Sequence, residues 1–286
     1  MNFSRRRSVL YVPASNTKAM AKTAALQCDA VIFDLEDAVA AEVRPAARQN
    51  LRDLFHASAQ RADQERIIRI NAVGGVPDAE DIAVAAVCKP DAVLVPKVEA
   101  SKTLAAVRQA LDAQAAREPI RLWAMIETPM GIVNLREICQ RGSKPEIGLR
   151  CLVAGSNDIA KEAGLPLGSA RATIEHWLAA IVIHAKAFRL DSLDGVFNDF
   201  RDEEGFEHEC ASGAKLGFDG KSLIHPNQIA PANATFSPSE DAIREARAVI
   251  EAFEDPVNAG AGVISVGGKM VERLHLEIAR RVLAHV

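Results

Sequence analysis

Short apolar runs alternate with longer stretches of helical period along almost the whole chain. The apolar runs are Ser8–Pro13, Asp29–Asp37, Gln64–Asn71, Asp91–Val98, Leu122–Glu127, Leu149–Ala154, Asp191–Asn198 and Gly217–Pro226. Between them lie segments with apolar positions at three- and four-residue spacing, such as Arg44–His56, Asp78–Val87, Ala100–Ala116, Ala170–Phe188 and Glu203–Leu216. The runs are rich in Val, Ile and Leu, the composition of strands buried on both faces of a parallel sheet. Eight strand–helix units in one chain predict an α/β fold, the TIM (β/α)8 barrel. A doubly wound open sheet is the competing architecture. It would need a glycine pattern for phosphate after the first strand, and Ser8–Ser15 carries none. Beyond the eighth run, Pro238–Phe253 and Val271–His285 read as amphipathic helices around a short apolar run, Val263–Met270, that contains a Gly-Gly pair. The expected division is a catalytic barrel over residues 1–235 and a C-terminal helical arm over 236–286, packing on the barrel or on a neighbouring subunit.

In such a barrel the ligand site lies at the mouth, where the strands end. The ends of these runs are polar: Asp34, Glu36 and Asp37; Arg69 and Asn71; Lys97; Glu127; Asp158, just past the sixth run; Asn198 and Asp199; and His225. An acid that closes an apolar strand costs free energy unless a positive charge meets it. Glu127 and Asp158 are therefore read as holding one divalent cation. The competing reading makes each acid a cap of the helix that follows, and Ser156, Asn157 and Asp158 are all capping residue types. Carboxylates without nearby cysteine favour Mg²⁺ or Mn²⁺ over zinc, and two of them leave most of an octahedral shell for water and substrate oxygens. Such an ion suits a substrate with adjacent oxygens, for example a 2-keto or 2-hydroxy acid. Arg69 would grip a carboxylate or a developing oxyanion, or else form a structural ion pair with the acids of the second run. Strand alternation sends Asp34 and Glu36 to one face and Asp37 to the other, so at most two of these acids reach the centre. His225 stands before Pro226, as a general acid or base or, more commonly for a lone histidine there, as a turn residue.

Composition narrows the picture by exclusion. The net charge of −4 gives no reason to expect nucleic acid. Arg5-Arg6-Arg7 precedes only a short apolar run, and no stretch approaches the roughly 18 apolar residues of a membrane span. The five cysteines are widely spaced without a Cys-x-x-Cys pair, which points away from a disulfide framework and towards a reducing cytoplasm.

Motifs in a fixed order carry a resemblance. They are Arg7-Ser-Val-Leu-Tyr-Val-Pro-Ala-Ser-Asn16, Phe33-Asp-Leu-Glu-Asp-Ala-Val39, Arg69-Ile-Asn71, Val95-Pro-Lys-Val98, Ile126-Glu-Thr-Pro-Met-Gly131, Gly155-Ser-Asn-Asp158, Gly217-Phe-Asp-Gly-Lys-Ser-Leu-Ile-His-Pro226 and Gly268-Lys-Met270. With these the chain resembles the HpcH/HpaI aldolases, in the branch of citrate lyase β-subunits and malyl-CoA and citramalyl-CoA lyases. The resemblance implies a TIM barrel assembled as a homotrimer or hexamer. It implies Mg²⁺ on Glu127 and Asp158, and Arg69 at the reacting carbonyl. Arg7, Lys18, Ile224 and His225 would lie along the CoA path, with Lys97 and Asn157 at the substrate and Glu36 and Asp37 in the catalytic set. The implied reaction is reversible cleavage of a 3-hydroxyacyl-CoA (citryl-, citramalyl- or malyl-CoA type) to acetyl-CoA and a 2-keto acid. Two positions depart from the family pattern. Glu272 stands where an aspartate, a proposed general acid from a neighbouring subunit, is common, and Asn157 replaces an acid next to the second metal ligand. Two alternatives stay open: an aldolase acting on free hydroxy-keto acids, and a non-catalytic subunit of a citrate lyase complex.

Overall fold

Eight parallel strands close on themselves in the structure, a computed structural model that describes residues 5–57, 63–114, 120–166 and 171–284. In chain order the strands are β1 (Ser8–Pro13), β2 (Ala30–Asp34), β3 (Glu65–Arg69), a two-stranded hairpin of β4 (Ala72–Val73) and β5 (Val76–Pro77), then β6 (Ala92–Val95), β7 (Arg121–Ile126), β8 (Leu149–Ala154), β9 (Asp191–Asp194) and β10 (Gly220–Leu223). The barrel runs β1-β2-β3-β6-β7-β8-β9-β10 and closes back on β1. The helices between its strands include α1 (Thr17–Lys22), α2 (Arg44–Ala57), α3 (Ala79–Cys88), α4 (Ser101–Ala113), α5 (Pro129–Val133), α6 (Leu135–Gly142), α7 (Ser156–Glu162), α8 (Glu175–Ala187) and α9 (Glu203–Leu216), with α10 (Ile229–Thr235) after β10. The TIM barrel expected from the alternating runs is the observed fold. The expected helix ends at Ala116, Ala170 and His285 lie outside the described residues.

Alternation along each strand decides what fills the barrel. Val9, Ala30, Ile32, Ile67, Ala92, Leu94, Trp123, Met125, Cys151, Val153 and Leu193 form one buried cluster, joined by the half-buried Tyr11. Charge appears only at the two ends of this column. At the N-terminal end, Arg6 donates to Glu65 through Nε (2.6 Å) and Nη2 (2.9 Å), pairs with Asp191, and lies over the Trp123 ring at 5.0 Å. Arg7 folds onto Asp29 at the same end, through its backbone N–H (2.8 Å), Nε (2.8 Å) and Nη2 (2.7 Å).

The apolar runs are longer than the strands they contain. β2 stops at Asp34 because that carboxylate accepts the backbone N–H groups of Glu36 (2.9 Å) and Ala38 (3.1 Å), turning the chain. Gly74 and Gly75 take positive φ, 57° and 82°, in the tight β4–β5 turn.

Residues Arg6–Asn233 form one compact unit, and the chain from Ala234 onward contributes to a second. The second holds α11 (Glu240–Glu254), a hairpin of β11 (Val263–Val266) and β12 (Lys269–Glu272), and α12 (Arg273–Ala284). It has its own core of Ala246, Val249, Ile264, Val271, Leu276 and Ala279.

Candidate active site

The inward faces of β2, β3 and β7 end at the mouth in Asp34, Arg69 and, one residue past β7, Glu127. Asp34 and Arg69 are partners in the β2–β3 register. That register allows a two-pronged contact: Nε to Oδ1 and Nη2 to Oδ2, both 2.6 Å. The remaining nitrogen, Nη1, meets Glu36 Oε2 at 2.9 Å, Asp37 Oδ2 at 3.3 Å and the Met125 sulfur at 3.7 Å. The Tyr11 ring covers the guanidinium at 5.1 Å, and its hydroxyl donates to the same sulfur at 3.8 Å. Burial opposes the charge on Arg69, but the Asp34 contact and the surrounding acids outweigh it and hold the group firmly cationic. The ion-pair reading of Arg69 is thus what the contacts display, with Nη1 the nitrogen aimed at the cavity acids.

Lys97 extends the same array. Its ammonium donates to Glu36 Oε1 at 2.6 Å and lies 4.0 Å from Asp37. Its backbone N–H donates to Glu127 Oε1 at 2.7 Å. Glu127 is fully buried, and its other oxygen, Oε2, has no hydrogen-bond partner among the described residues. Gly155 lies against this side chain: a methyl there would clash with Glu127 Cβ and come 3.0 Å from Oε2. Burial pushes the Glu127 carboxyl up to about 7, against the pull of the Lys97 N–H. Burial raises Glu36 as well, despite Arg69 and Lys97. Burial also pushes Asp37 upward, but its hydrogen bond with Glu36 and the charges of Arg69 and Lys97 prevail and hold it below the usual range. Of this adjacent pair, burial holds Glu36 above the usual carboxylate range, and its neighbours hold Asp37 below it.

Asp158 sits three residues past Gly155, in the first turn of α7, partly exposed and without a hydrogen bond or ion pair among the described residues. The capping reading does not survive. Thr128 caps α5, accepting from Gly131 N at 3.0 Å, and Gly155 occupies the cap position of α7. Glu127 follows β7 directly and Asp158 lies in the first turn of the helix after the adjacent strand β8, and neither side chain caps a helix. Among the described residues no cluster of three or more His, Cys, Asp or Glu side chains gathers as a metal site. A two-carboxylate, water-rich Mg²⁺ site does not require one. The donor chemistry fits a hard cation: a buried Glu127 oxygen lacking a hydrogen-bond partner and a second carboxylate, Asp158, without one among the described residues, with a glycine at 155 where a side chain would collide with Glu127.

Other sequence candidates fall differently. The alternation argument for Asp34, Glu36 and Asp37 fails because β2 ends at Asp34, and from the turn both Glu36 and Asp37 reach Arg69. Arg7 precedes β1, so it lies at the barrel end opposite the mouth, bound to Asp29; the structure gives it no place on a path to these residues. Lys18 is exposed on α1, on the mouth side of β1. Asn71 is structural: its amide donates to Leu35 O (2.8 Å) and Asp81 (2.7 Å). Asn157 and Asn198 exchange two amide hydrogen bonds of 3.1 and 3.0 Å. Asp199 accepts from Arg201 N within its own turn at 3.1 Å. His225 caps the short turn at Pro226–Gln228 and stacks on Phe200 at 4.7 Å, with the exposed Ile224 beside it. In the second unit the backbone N–H of Glu272 donates to His275 Nδ1 at 2.9 Å. Tyr11 and Met125 were not singled out in the sequence. The signal was present: Trp123, Met125 and Glu127 alternate onto one face, as do Val9 and Tyr11.

The chain is similar to known proteins in sequence and fold. The family model described as HpcH/HpaI aldolase/citrate lyase matches residues 7–226. A (3S)-malyl-CoA thioesterase of Cereibacter sphaeroides is 43% identical over 279 residues, covering 97% of this chain and 93% of its own. Human mitochondrial citramalyl-CoA lyase is 32% identical over 281 residues, covering 93% of this chain and 81% of the relative. The crystal structure of CitE from Mycobacterium tuberculosis, in complex with magnesium, acetoacetate and coenzyme A, superposes with a TM-score of 0.76 at 29% identity over 97% of both chains. Carbon–carbon lyases of acyl-CoA and a magnesium-bound neighbour are thus among its relatives, as the motifs led one to expect. With the match spanning most of its length and every barrel strand, the chain belongs to the HpcH/HpaI aldolase/citrate lyase family.

Proposed function

We propose that the chain is a Mg²⁺-dependent lyase that cleaves a 3-hydroxyacyl-CoA of malyl, citramalyl or citryl type reversibly to acetyl-CoA and a 2-keto acid. One observation carries the reading: the buried Oε2 of Glu127 has no partner, at the same mouth as a fully oriented arginine. Glu127 and Asp158 would hold the ion. When bound, it supplies Lewis-acid polarisation of the oxygen that becomes the keto group. Arg69 Nη1 stabilises the charge developing there, with Asp34 and Tyr11 fixing its direction. Asp37, half-exposed beside Arg69 Nη1, is the carboxylate assigned to take the hydroxyl proton, while Glu36 keeps Arg69 and Lys97 in place. Cleavage leaves an acetyl-CoA enolate whose terminal carbon must gain a proton. Glu272, whose carboxylate has no partner among the described residues, is the candidate donor, delivered by the arm of a neighbouring copy in a homotrimer or hexamer. Lys18, Ile224 and the stacked His225 line the approach proposed for CoA. The five cysteines are buried and form no disulfide among the described residues, which suits a reducing compartment such as the cytoplasm. Among the described residues no helix is long and apolar enough to cross a membrane.

A second reading keeps the site and changes the bond broken. The 43% identity to a (3S)-malyl-CoA thioesterase favours hydrolysis of the thioester. A panel of malyl-, citramalyl- and citryl-CoA separates the two. Cleavage releases acetyl-CoA with glyoxylate, pyruvate or oxaloacetate; hydrolysis releases free CoA and the intact hydroxy acid. Either activity must need Mg²⁺ and vanish in Glu127→Gln. Turnover that survives both EDTA and this substitution refutes the proposal.

A further inference from the structure

Lys97 touches both halves of the site. It follows Pro96, past the end of β6, and its φ is +48°, a left-handed conformation that a residue with a side chain seldom adopts. The conformation has a visible consequence. While the Lys97 N–H donates to Glu127 Oε1 at 2.7 Å, this φ sets the direction in which the side chain leaves, and Glu127 Oε2 has no hydrogen-bond partner among the described residues. The side chain leaves in another direction and places its ammonium 2.6 Å from Glu36 Oε1, while Glu36 Oε2 stands 2.9 Å from Arg69. One residue therefore joins the acid read here as a metal ligand to the arginine read here as the oxyanion donor.

We propose that Lys97 is a positioning residue rather than a contact for CoA or the acyl group. Its strained backbone selects the Glu127 rotamer, and its ammonium fixes Glu36 and through it Arg69. This rests on the reading of Glu127 as a metal ligand. The two roles separate by substitution, because the backbone role depends on tolerance of positive φ and the side-chain role on charge.

Calorimetric titration with Mn²⁺ reads the backbone role without turnover. Lys97→Gly and Lys97→Asn, which accept positive φ, should bind Mn²⁺ within about twofold of the native protein. Lys97→Val, whose branched side chain resists that conformation, should bind at least about tenfold more weakly. Should the valine variant melt well below the others, Lys97→Ala takes its place, with a smaller loss of the same sign. A double-mutant cycle reads the side-chain role. Lys97→Met and Glu36→Gln should each lower kcat, and the double variant should be no worse than the poorer single one. Equal Mn²⁺ affinity in the glycine and valine (or alanine) variants overturns the backbone role. A Lys97→Met defect confined to KM and additive with Glu36→Gln overturns the side-chain role and returns Lys97 to the substrate. Absence of Mn²⁺ binding by the native protein would instead sink the proposed metal site, a separate result.

Discussion

The two ends of the barrel are built from the same strands and the same residue types, yet they are finished differently. At the closed end Arg6 stacks on Trp123 between Glu65 and Asp191, and each of these charges is paired. At the mouth Arg69 stacks on Tyr11 among Asp34, Glu36 and Asp37. β3 supplies both ends, Glu65 at one and Arg69 at the other, and β7 runs from Trp123 towards Glu127. The difference lies in the acids. Among the described residues the closed end leaves no carboxylate oxygen buried without a hydrogen-bond partner, whereas the mouth leaves Glu36 Oε2 and Glu127 Oε2 so, and of these two only Glu36 Oε2 forms an ion pair, 2.9 Å from Arg69 Nη1. A fully paired end stabilises; an end with an unmet acid is prepared for a cation.

Substitutions sharpen this contrast. Glu127→Gln should lower thioester turnover about a thousandfold, the scale of losing an electrostatic stabiliser of the transition state. It should also leave the melting temperature equal or higher, since a buried carboxyl that resists ionisation is replaced by a neutral group. Arg69→Met should reduce turnover on the order of a hundredfold while stranding Asp34. At the other end Arg6→Met should leave kcat near native but cost about 3 kcal/mol by removing the cation between Glu65 and Asp191, with only the longer Arg121 contact at 3.7 Å left to Glu65. That is a fall in melting temperature of several degrees. If Arg6→Met damages catalysis as severely as Arg69→Met, the two ends are not functionally distinct.

Titration offers a gentler test. Glu127 is raised by burial to about 7 in the folded protein. The native state therefore holds a proton that the unfolded chain has lost between about pH 4.5 and 7, so the Glu127 contribution makes stability fall as pH rises across that window. A divalent ion requires the ionised form, so its apparent affinity should climb through the same window and level off above about pH 7. A flat affinity across that range would place the ion elsewhere. The smallest effect belongs to the rim. Asn157→Ala breaks an exposed amide pair and should cost about 0.5–1 kcal/mol, with little change in Mn²⁺ affinity.

The closed barrel was legible because eight apolar runs in Val, Ile and Leu leave few other ways to bury both faces of a sheet. The place of Glu127 at the mouth was legible for a related reason: a carboxylate ending such a run must be met by a positive charge or cap the next helix. What escaped the sequence depends on where strands stop. Asp34 ends β2 by accepting backbone N–H groups, and that single turn moved Glu36 and Asp37 off the alternation that would have separated them. Arg7 carries a family motif, but its place before β1 puts it at the floor, and only the direction of the strand reveals that. The left-handed backbone of Lys97 leaves no mark in composition or period, so its link to Glu127 required coordinates. Tyr11 and Met125 looked like core and are core, on whose upper edge the arginine rests.

The central claim is a divalent ion shared by Glu127 and Asp158. Its most direct test is Mn²⁺ binding, followed by paramagnetic resonance of the free ion, to the native protein and to the Glu127→Gln and Asp158→Asn variants at pH 7.5. One bound ion per chain, lost or weakened at least tenfold in each variant with the fold intact, is the predicted result. Undiminished binding in either variant would contradict it.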